Sequence, residues 1–372
     1  MTQSALAVAP GEISLAQILP SVAAALRVRG YTDVVGLGEP QHVVCCLIDG
    51  LGAAQLRQYA STAPVLAAMS GPLAATTIPS TTPVALGSFG IGDLPGAHGI
   101  VGASFWVPEF EDVLVPLHWA SGIPALAIQP EPTMLELMAA AGIHVTTVAP
   151  EAYRNSGLTR AVLRGGSYEA AEDAIQRVRG VLAATATSLR SFTYVYWPQL
   201  DRIGHEFGVG SKDWLEALVR VDQLVDALRS ALPRNTAMIV TSDHGMINCN
   251  TRVAVDVGAE FTDGVWLVAG EPRARHVYAK PGQASQVAAR WQEALGDLAQ
   301  CVEKEELLAS GVIGPAIDEI AERLGDVLVF AKADVALTAT LDKRVSALTG
   351  QHGSISSDEW EIPCLVTQSS GL

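Results

Sequence analysis

Ile239-Val-Thr-Ser-Asp-His-Gly-Met246 closes an apolar run that begins at Ala237 and Met238. Four apolar residues in succession suit a strand buried on both faces, and the run stops abruptly at Asp243 and His244. A hard oxygen donor beside an imidazole, followed by a glycine that permits a sharp turn, can hold a metal ion. The same residues can also end an ordinary α/β strand and cap a helix. Donors elsewhere in the chain must decide between the two readings.

Working outward, His42-Val-Val-Cys-Cys-Leu-Ile48 repeats the pattern, a continuous apolar run ending in Asp49-Gly50-Leu51-Gly52. A third run, Phe192-Thr-Tyr-Val-Tyr-Trp197, leads to Asp201. Helical spacing predicts helices over 13–29, 53–60, 132–141, 167–189 and 213–231, alternating with strands at 73–77, 143–148, 192–197 and 236–241. Such alternation predicts an α/β fold: a mainly parallel sheet with helices on both faces. Residues 1–249 and 346–372 would form this core. Within 250–345 short strands at 264–269, 276–279 and 327–330 and helices at 284–295 and 315–324 predict a smaller α+β insertion or cap. Six glycines from Gly87 to Gly102 form no dinucleotide fingerprint and predict backbone packed closely round a site.

The chain of 372 residues is 49% hydrophobic but only 6% aromatic, so it can bury a large aliphatic core. No run of about eighteen apolar residues spans a membrane, and the N-terminus lacks a basic, apolar leader, which predicts a cytoplasmic protein. A net charge of −15 argues against nucleic-acid polymers and anionic membranes as partners. It leaves small anionic substrates open, because divalent cations reverse the field in a pocket. Five cysteines without a Cys-x-x-Cys pair predict reduced, buried thiols.

Ligands of open α/β sheets sit at the carboxyl ends of the strands, so Asp49, Asp201 and Asp243 are predicted to converge. Asp201-Arg-Ile-Gly-His205 places a carboxylate and an imidazole on one face of a helical turn, although such an Asp also caps helices. With His244 and His352 the set becomes three carboxylates and three imidazoles, enough for two divalent cations. Mixed nitrogen and oxygen donors favour zinc, with manganese as the alternative, over magnesium. In Ile78-Pro-Ser-Thr-Thr-Pro-Val-Ala85 a hydroxyl can become a nucleophile once a dication stabilises its alkoxide, or Ser80 or Thr81 can simply cap a helix.

Ile48-Asp-Gly50, Pro79-Ser-Thr-Thr82, His98-Gly-Ile100, Asp201-x-x-Gly-His205, Ser242-Asp-His-Gly245 and Gly350-x-His-Gly353 follow one another in an order that resembles the alkaline phosphatase superfamily. Within it the chain looks most like the type I phosphodiesterase/nucleotide pyrophosphatase branch, over residues 43–367. The resemblance implies an alkaline-phosphatase-like fold and a hydrolase that cleaves phosphodiester or pyrophosphate bonds of nucleotides or similar small molecules through a phosphothreonine. It further implies that Asp49, Thr82, Asp243 and His244 hold one metal, that Asp201, His205 and His352 hold the other, and that Thr82 is the nucleophile.

Two positions depart from that pattern. Ala103, beside Ser104, stands where an asparagine would hold a phosphoryl oxygen, and Ile91-Gly92 replaces Thr-Gly. Thr82 is followed by Pro83-Val-Ala-Leu-Gly87 without an arginine, which disfavours a sulfatase, whose motif carries Pro and Arg at short range, and an alkaline-type monoesterase, which holds its dianion with an arginine beside the nucleophile. Phosphomonoester and phosphonate hydrolysis remain the alternatives, and a non-catalytic binding relative comes last. Arg273, Arg275 and His276 read either as contacts to a leaving group or as a solvated turn. Phe105 and Trp106 read either as a stacking surface or as packing.

Overall fold

A computed structural model describes residues 12–120, 122–187, 189–340 and 343–368. His42–Ile48 is buried at all seven positions, as are Ser191–Trp197 and the six residues of Thr236–Thr241. Strands with no polar face must be covered on both sides, and these three lie together in the middle of an eight-stranded sheet. Its order is Ile13–Ser14, Leu73–Ala75, Glu361–Gln368, Thr236–Thr241, His42–Ile48, Ser191–Trp197, His144–Ala149 and Ser167–Ala170. Glu361–Gln368 pairs antiparallel with both neighbours; the other pairings are parallel.

Alternation along His42–Ile48 divides the core. Val43, Cys45 and Leu47 join a cluster with helices Ile18–Ala25 and Thr82–Ile91, while Val44, Cys46 and Ile48 join one with helix Lys212–Ala231. Helices therefore cover both faces, as expected. The five cysteines are free and only Cys301 is not fully buried. No helix among the described residues is long and apolar enough to cross a membrane.

A second, antiparallel sheet orders Val265–Glu271, Ala274–Ala279, Val327–Ala331 and Ala299–Glu303. Helix Ala284–Leu295 covers one face through Val287 and Trp291. From the other face Val302, Leu328 and Phe330 enter the same buried cluster as Phe89 and Leu47, so the two sheets share a core.

Several elements differ from the periodicity reading. Residues 167–189 were expected to be one helix. Ser167–Ala170 is instead the edge strand, entered through Gly165 and Gly166 at φ +119° and +72°, and helix Ala174–Thr185 starts where the Asp173 carboxylate accepts from Gln176 N. At 13–29 the first two residues pair with Ala74 and Ala75, and the capping box of Ser14 and Gln17 starts a 3-10 turn before the helix proper. The helix expected at 315–324 is only Asp318–Ala321, and strand Ala299–Glu303 lay unread in a run of mixed polarity. The glycines of 87–102 are closely packed, but against the His98 ring, the Val162 carbonyl, Pro315 and the His276 ring, not against the converging carboxylates.

Candidate metal centre

Asp49 and Asp243 each stand just beyond the carboxyl end of their strand, and the chain turns sharply after the first. Gly50 has φ +76°, and a Cβ there would come within 2.9 Å of Asp201 Cβ, so only glycine lets the end of strand His42–Ile48 and helix Gln199–Phe207 approach each other. Gly50 N donates to Asp243 Oδ1 at 3.2 Å, as does His244 N at 3.1 Å. Thr76 Oγ1 donates to the Asp243 carbonyl, and the Tyr196 hydroxyl to Asp49 Oδ2. These bonds fix one oxygen of each carboxylate and leave the other to the site.

The donors fall into two groups, Asp49, Asp243 and His244 in one and Asp201, His205 and His352 in the other, with the ligand atoms of each within 4.8 Å of one another. Stacking of the His244 and His352 rings, centroids 3.7 Å apart, joins the groups. Thr82 is the first residue of helix Thr82–Ile91, and its hydroxyl lies 3.1 Å from His244 Nε2. A helix start of this length also offers free backbone N–H groups to an anion. Thr81 occupies the cap position, but its side chain turns away and donates to Glu271 Oε2 at 3.2 Å.

All three imidazoles are oriented alike. Nδ1 of His205 lies 2.7 Å from the Gly350 carbonyl, Nδ1 of His244 lies 3.0 Å from the Gly245 carbonyl, and Nδ1 of His352 lies 3.1 Å from the Ser80 carbonyl. A carbonyl only accepts, so each Nδ1 carries the proton and each Nε2 turns a lone pair inward. His205 Nε2 and His352 Nε2 stand 3.2 Å apart, a repulsive contact between two lone pairs unless a cation lies beside them. Asp49 Oδ1, Asp201 Oδ1 and Asp243 Oδ2 are buried with no hydrogen-bond partner. Orphaned carboxylate oxygens and inward lone pairs fit divalent cations.

The electrostatics agree. Burial, then Asp243 and Asp201, push the Asp49 carboxyl well above its usual range. Burial, then His244 and His205, hold the His352 imidazole well below its own. A buried Asp49 carboxylate beside two others and without a counter-charge is disfavoured as an anion, which is what cations would relieve.

The sequence profile of the type I phosphodiesterase / nucleotide pyrophosphatase family matches residues 43–355. The chain belongs to that family. It is therefore a phosphoric ester hydrolase of the alkaline phosphatase superfamily, in a metal-dependent family. No curated protein matches the chain by sequence. Among solved structures, murine ectonucleotide pyrophosphatase / phosphodiesterase 5, as an inactive threonine-to-alanine variant in complex with AMP, superposes with TM-score 0.69 at 17% identity over 88% of each chain. Phosphonoacetate hydrolase from Sinorhizobium meliloti 1021 in complex with phosphonoformate superposes with TM-score 0.66 at 18% identity, over 90% of this chain and 92% of that one. At these identities the likeness is one of fold.

Against the family pattern, Ala103 is half-buried and offers no donor, and Ser104 cannot replace it because its hydroxyl donates to the Gly270 carbonyl at 2.9 Å. Arg273, Arg275 and His276 are neither solvated nor free for a leaving group. Arg273 is fully buried and pairs with Glu359 at 2.7 Å, Arg275 donates to the Leu337 carbonyl, and His276 Nε2 donates to the Val101 carbonyl. Phe105 is buried; Trp106 packs edge-on against Trp266 at 5.1 Å. Two residues of the site escaped the sequence reading. Tyr196 shares the face of Tyr194 on a strand ending near Asp201, a parity that could have pointed to it. Glu271, beside a proline in a charged hairpin turn, carries no signal that distinguishes it from a solvated acid.

Proposed function

We propose that this enzyme hydrolyses phosphodiester or pyrophosphate bonds of nucleotides or related small molecules, with Thr82 as nucleophile. Asp49, Thr82, Asp243 and His244 would hold one divalent cation and Asp201, His205 and His352 a second; the nitrogen and oxygen donor set suits zinc first and manganese second. The observation that carries this reading is the inward aim of three Nε2 lone pairs and three unpartnered carboxylate oxygens around one threonine hydroxyl. Bound divalent cations supply Lewis-acid polarisation of the phosphoryl oxygens and lower the pKa of a coordinated hydroxyl.

The Thr82 side chain, fixed at the first position of its helix, is aimed across His244. Its Oγ1 forms a bond to phosphorus as the bond to the leaving oxygen breaks, giving a phosphothreonine, and water then cleaves that ester and regenerates the hydroxyl. The backbone N–H groups of the helix start orient the phosphoryl oxygens in place of the asparagine side chain that Ala103 lacks. Pro83, where an arginine would pair with a dianion, favours a diester or pyrophosphate over a monoester. The fold shared with a phosphonoacetate hydrolase, together with Ala103, supports phosphonate cleavage as the second reading.

Zinc- or manganese-loaded protein should turn over bis-p-nitrophenyl phosphate or the p-nitrophenyl ester of thymidine monophosphate faster than p-nitrophenyl phosphate or phosphonoacetate. In Thr82→Ala that turnover should fall by about 10⁴-fold or more. Faster monoester or phosphonate turnover would replace the diesterase reading, and activity that survives in Thr82→Ala would remove the nucleophile.

A further inference from the structure

Glu271 is the one acidic group of the small sheet that reaches the metal centre. It ends strand Val265–Glu271, is 7% exposed, and touches both loops that carry the chemistry. Its Oε2 accepts from Thr81 Oγ1 at 3.2 Å, one residue before Thr82, and lies 3.7 Å from His352 Nδ1. Its Oε1 has no hydrogen-bond partner and lies 2.7 Å from where a Cβ on Gly353 would stand, at a residue whose φ is +123°. The two loops are themselves joined, since Ser80 N donates to the Gly353 carbonyl and His352 Nδ1 to the Ser80 carbonyl. One carboxyl group therefore sits over the junction of the nucleophile loop and the His352 loop, and the glycine after His352 is needed to make room for it.

Glu271 is held there in turn. The neighbouring Gly270 is tied to Ser104 by its N–H and its carbonyl, and Arg273, two residues on, is locked to Glu359, which accepts from Ser354 N at 3.0 Å. The hairpin turn is thus clamped on both sides of Glu271 before the carboxyl reaches the centre.

We infer that Glu271 is a positioning residue: through hydrogen-bond acceptance from Thr81 and packing on His352-Gly353, it sets the place of Thr82 and the aim of His352 Nε2. This rests on the reading of Thr82 and His352 given above. Outer partners of metal-ligating histidines are generally worth about 10–100-fold in metal affinity or activity. Glu271 would exert that effect from outside the main sheet, making the small sheet part of the catalytic frame.

The test uses full-length protein stripped of metal and titrated with Co²⁺, whose visible absorption reports ligand geometry, alongside kinetics with bis-p-nitrophenyl phosphate. Glu271→Ala should bind one of two Co²⁺ equivalents about 10–100-fold more weakly with an altered spectrum, and lose kcat by a similar factor while KM stays within about 3-fold. Glu271→Gln, which keeps an acceptor for Thr81, should recover most of both. Thr81→Val should lower kcat as well, and its effect should not add to that of Glu271→Ala. Unchanged Co²⁺ affinities and spectrum in Glu271→Ala would overturn the inference, as would a loss matched only by a lower melting temperature or equal losses in the Ala and Gln variants. Because the Co²⁺ titration needs no substrate, a failure of the diesterase reading would leave this outcome readable.

Discussion

The two ligand groups are built from different materials. Asp49, Asp243 and His244 stand at the ends of adjacent central strands, where Cys46 pairs with Val240 and Leu47 with Thr241, and their side chains are at most 6% exposed. Asp201 and His205 share one turn of helix Gln199–Phe207, at 14% and 20% side-chain exposure, and His352 comes from the loop after the two-residue strand Gly350–Gln351. The first group is fixed by the parallel ladder itself. The second depends on helix packing, on the Gly350 carbonyl that orients His205, and on contacts from the small sheet. A strand-end group should therefore be preorganised and slow to exchange its metal, whereas the helix-and-loop group should be adjustable and easier to empty.

The largest expected difference between the groups is in catalysis. Asp243→Ala removes a fully buried carboxylate that Gly50 N and His244 N hold in place, and kcat should fall by about 10³-fold or more, at the upper end of what one lost electrostatic contact costs. Excess zinc should not restore it. Asp201→Ala, at the partly exposed group, should lose about 10–100-fold and regain much of that at high zinc, because its remaining donors rebind metal by mass action. Zinc-dependent kinetics on both variants decide the matter; equal losses with equal response to zinc would erase the distinction.

Arg273 sharpens the comparison from the other side, since Glu359 supports both groups. Its carbonyl accepts from Gly245 N beside His244, and its carboxylate accepts from Ser354 N beyond His352. Arg273→Ala leaves that carboxylate buried without its partner and should cost about 3–5 kcal/mol in urea unfolding. Where the folded fraction is restored, the Asp201 group should lose metal first. Loss of metal from the Asp243 group first would show that the strand-end site depends on the small sheet more than the ladder does.

What could be read in the chain divides along the same line. Continuous apolar runs identify the three central strands because those strands have no polar face, and Asp49, Asp201 and Asp243 follow from the topology of strand ends. Ser167–Ala170 was misread because an edge strand beside a helix start carries too short a pattern to separate from it; Gly165-Gly166 and Asp173 are the local signals. His352 gained meaning only in company, since the stacking on His244 that places it joins positions more than a hundred residues apart. Arg273 and Glu271 look like a solvated turn because charge alone predicts exposure, and only the packed hairpin turns them into buried, paired groups.

The smallest expected effect concerns stability, and it isolates the charges of the two groups. In the metal-free protein burial raises the Asp49 and Glu271 carboxyls well above their usual values and lowers the His352 imidazole well below 6.5. A group whose folded pKa is raised binds more protons folded than unfolded, so its contribution is lost as pH rises from the unfolded value toward the folded one. His352 acts in the opposite sense, but only below about 6.5, where the unfolded imidazole takes up its proton. Above that pH the carboxyls act alone. The melting temperature of metal-stripped protein should therefore fall as pH rises from the unfolded carboxyl range, about 4, toward the raised folded values, with His352 opposing the fall below about 6.5. Zinc-loaded protein should keep or raise its melting temperature over the same range, because cations stabilise the ionised carboxylates and bind more tightly as competing protons leave. Asp49→Asn should flatten the metal-free slope, whereas Asp201→Asn, which removes only the smaller of the two charges that raise Asp49, should flatten it less. If both variants flattened it alike, the buried charge would be shared across the whole centre and the division into a rigid and an adjustable half would fail.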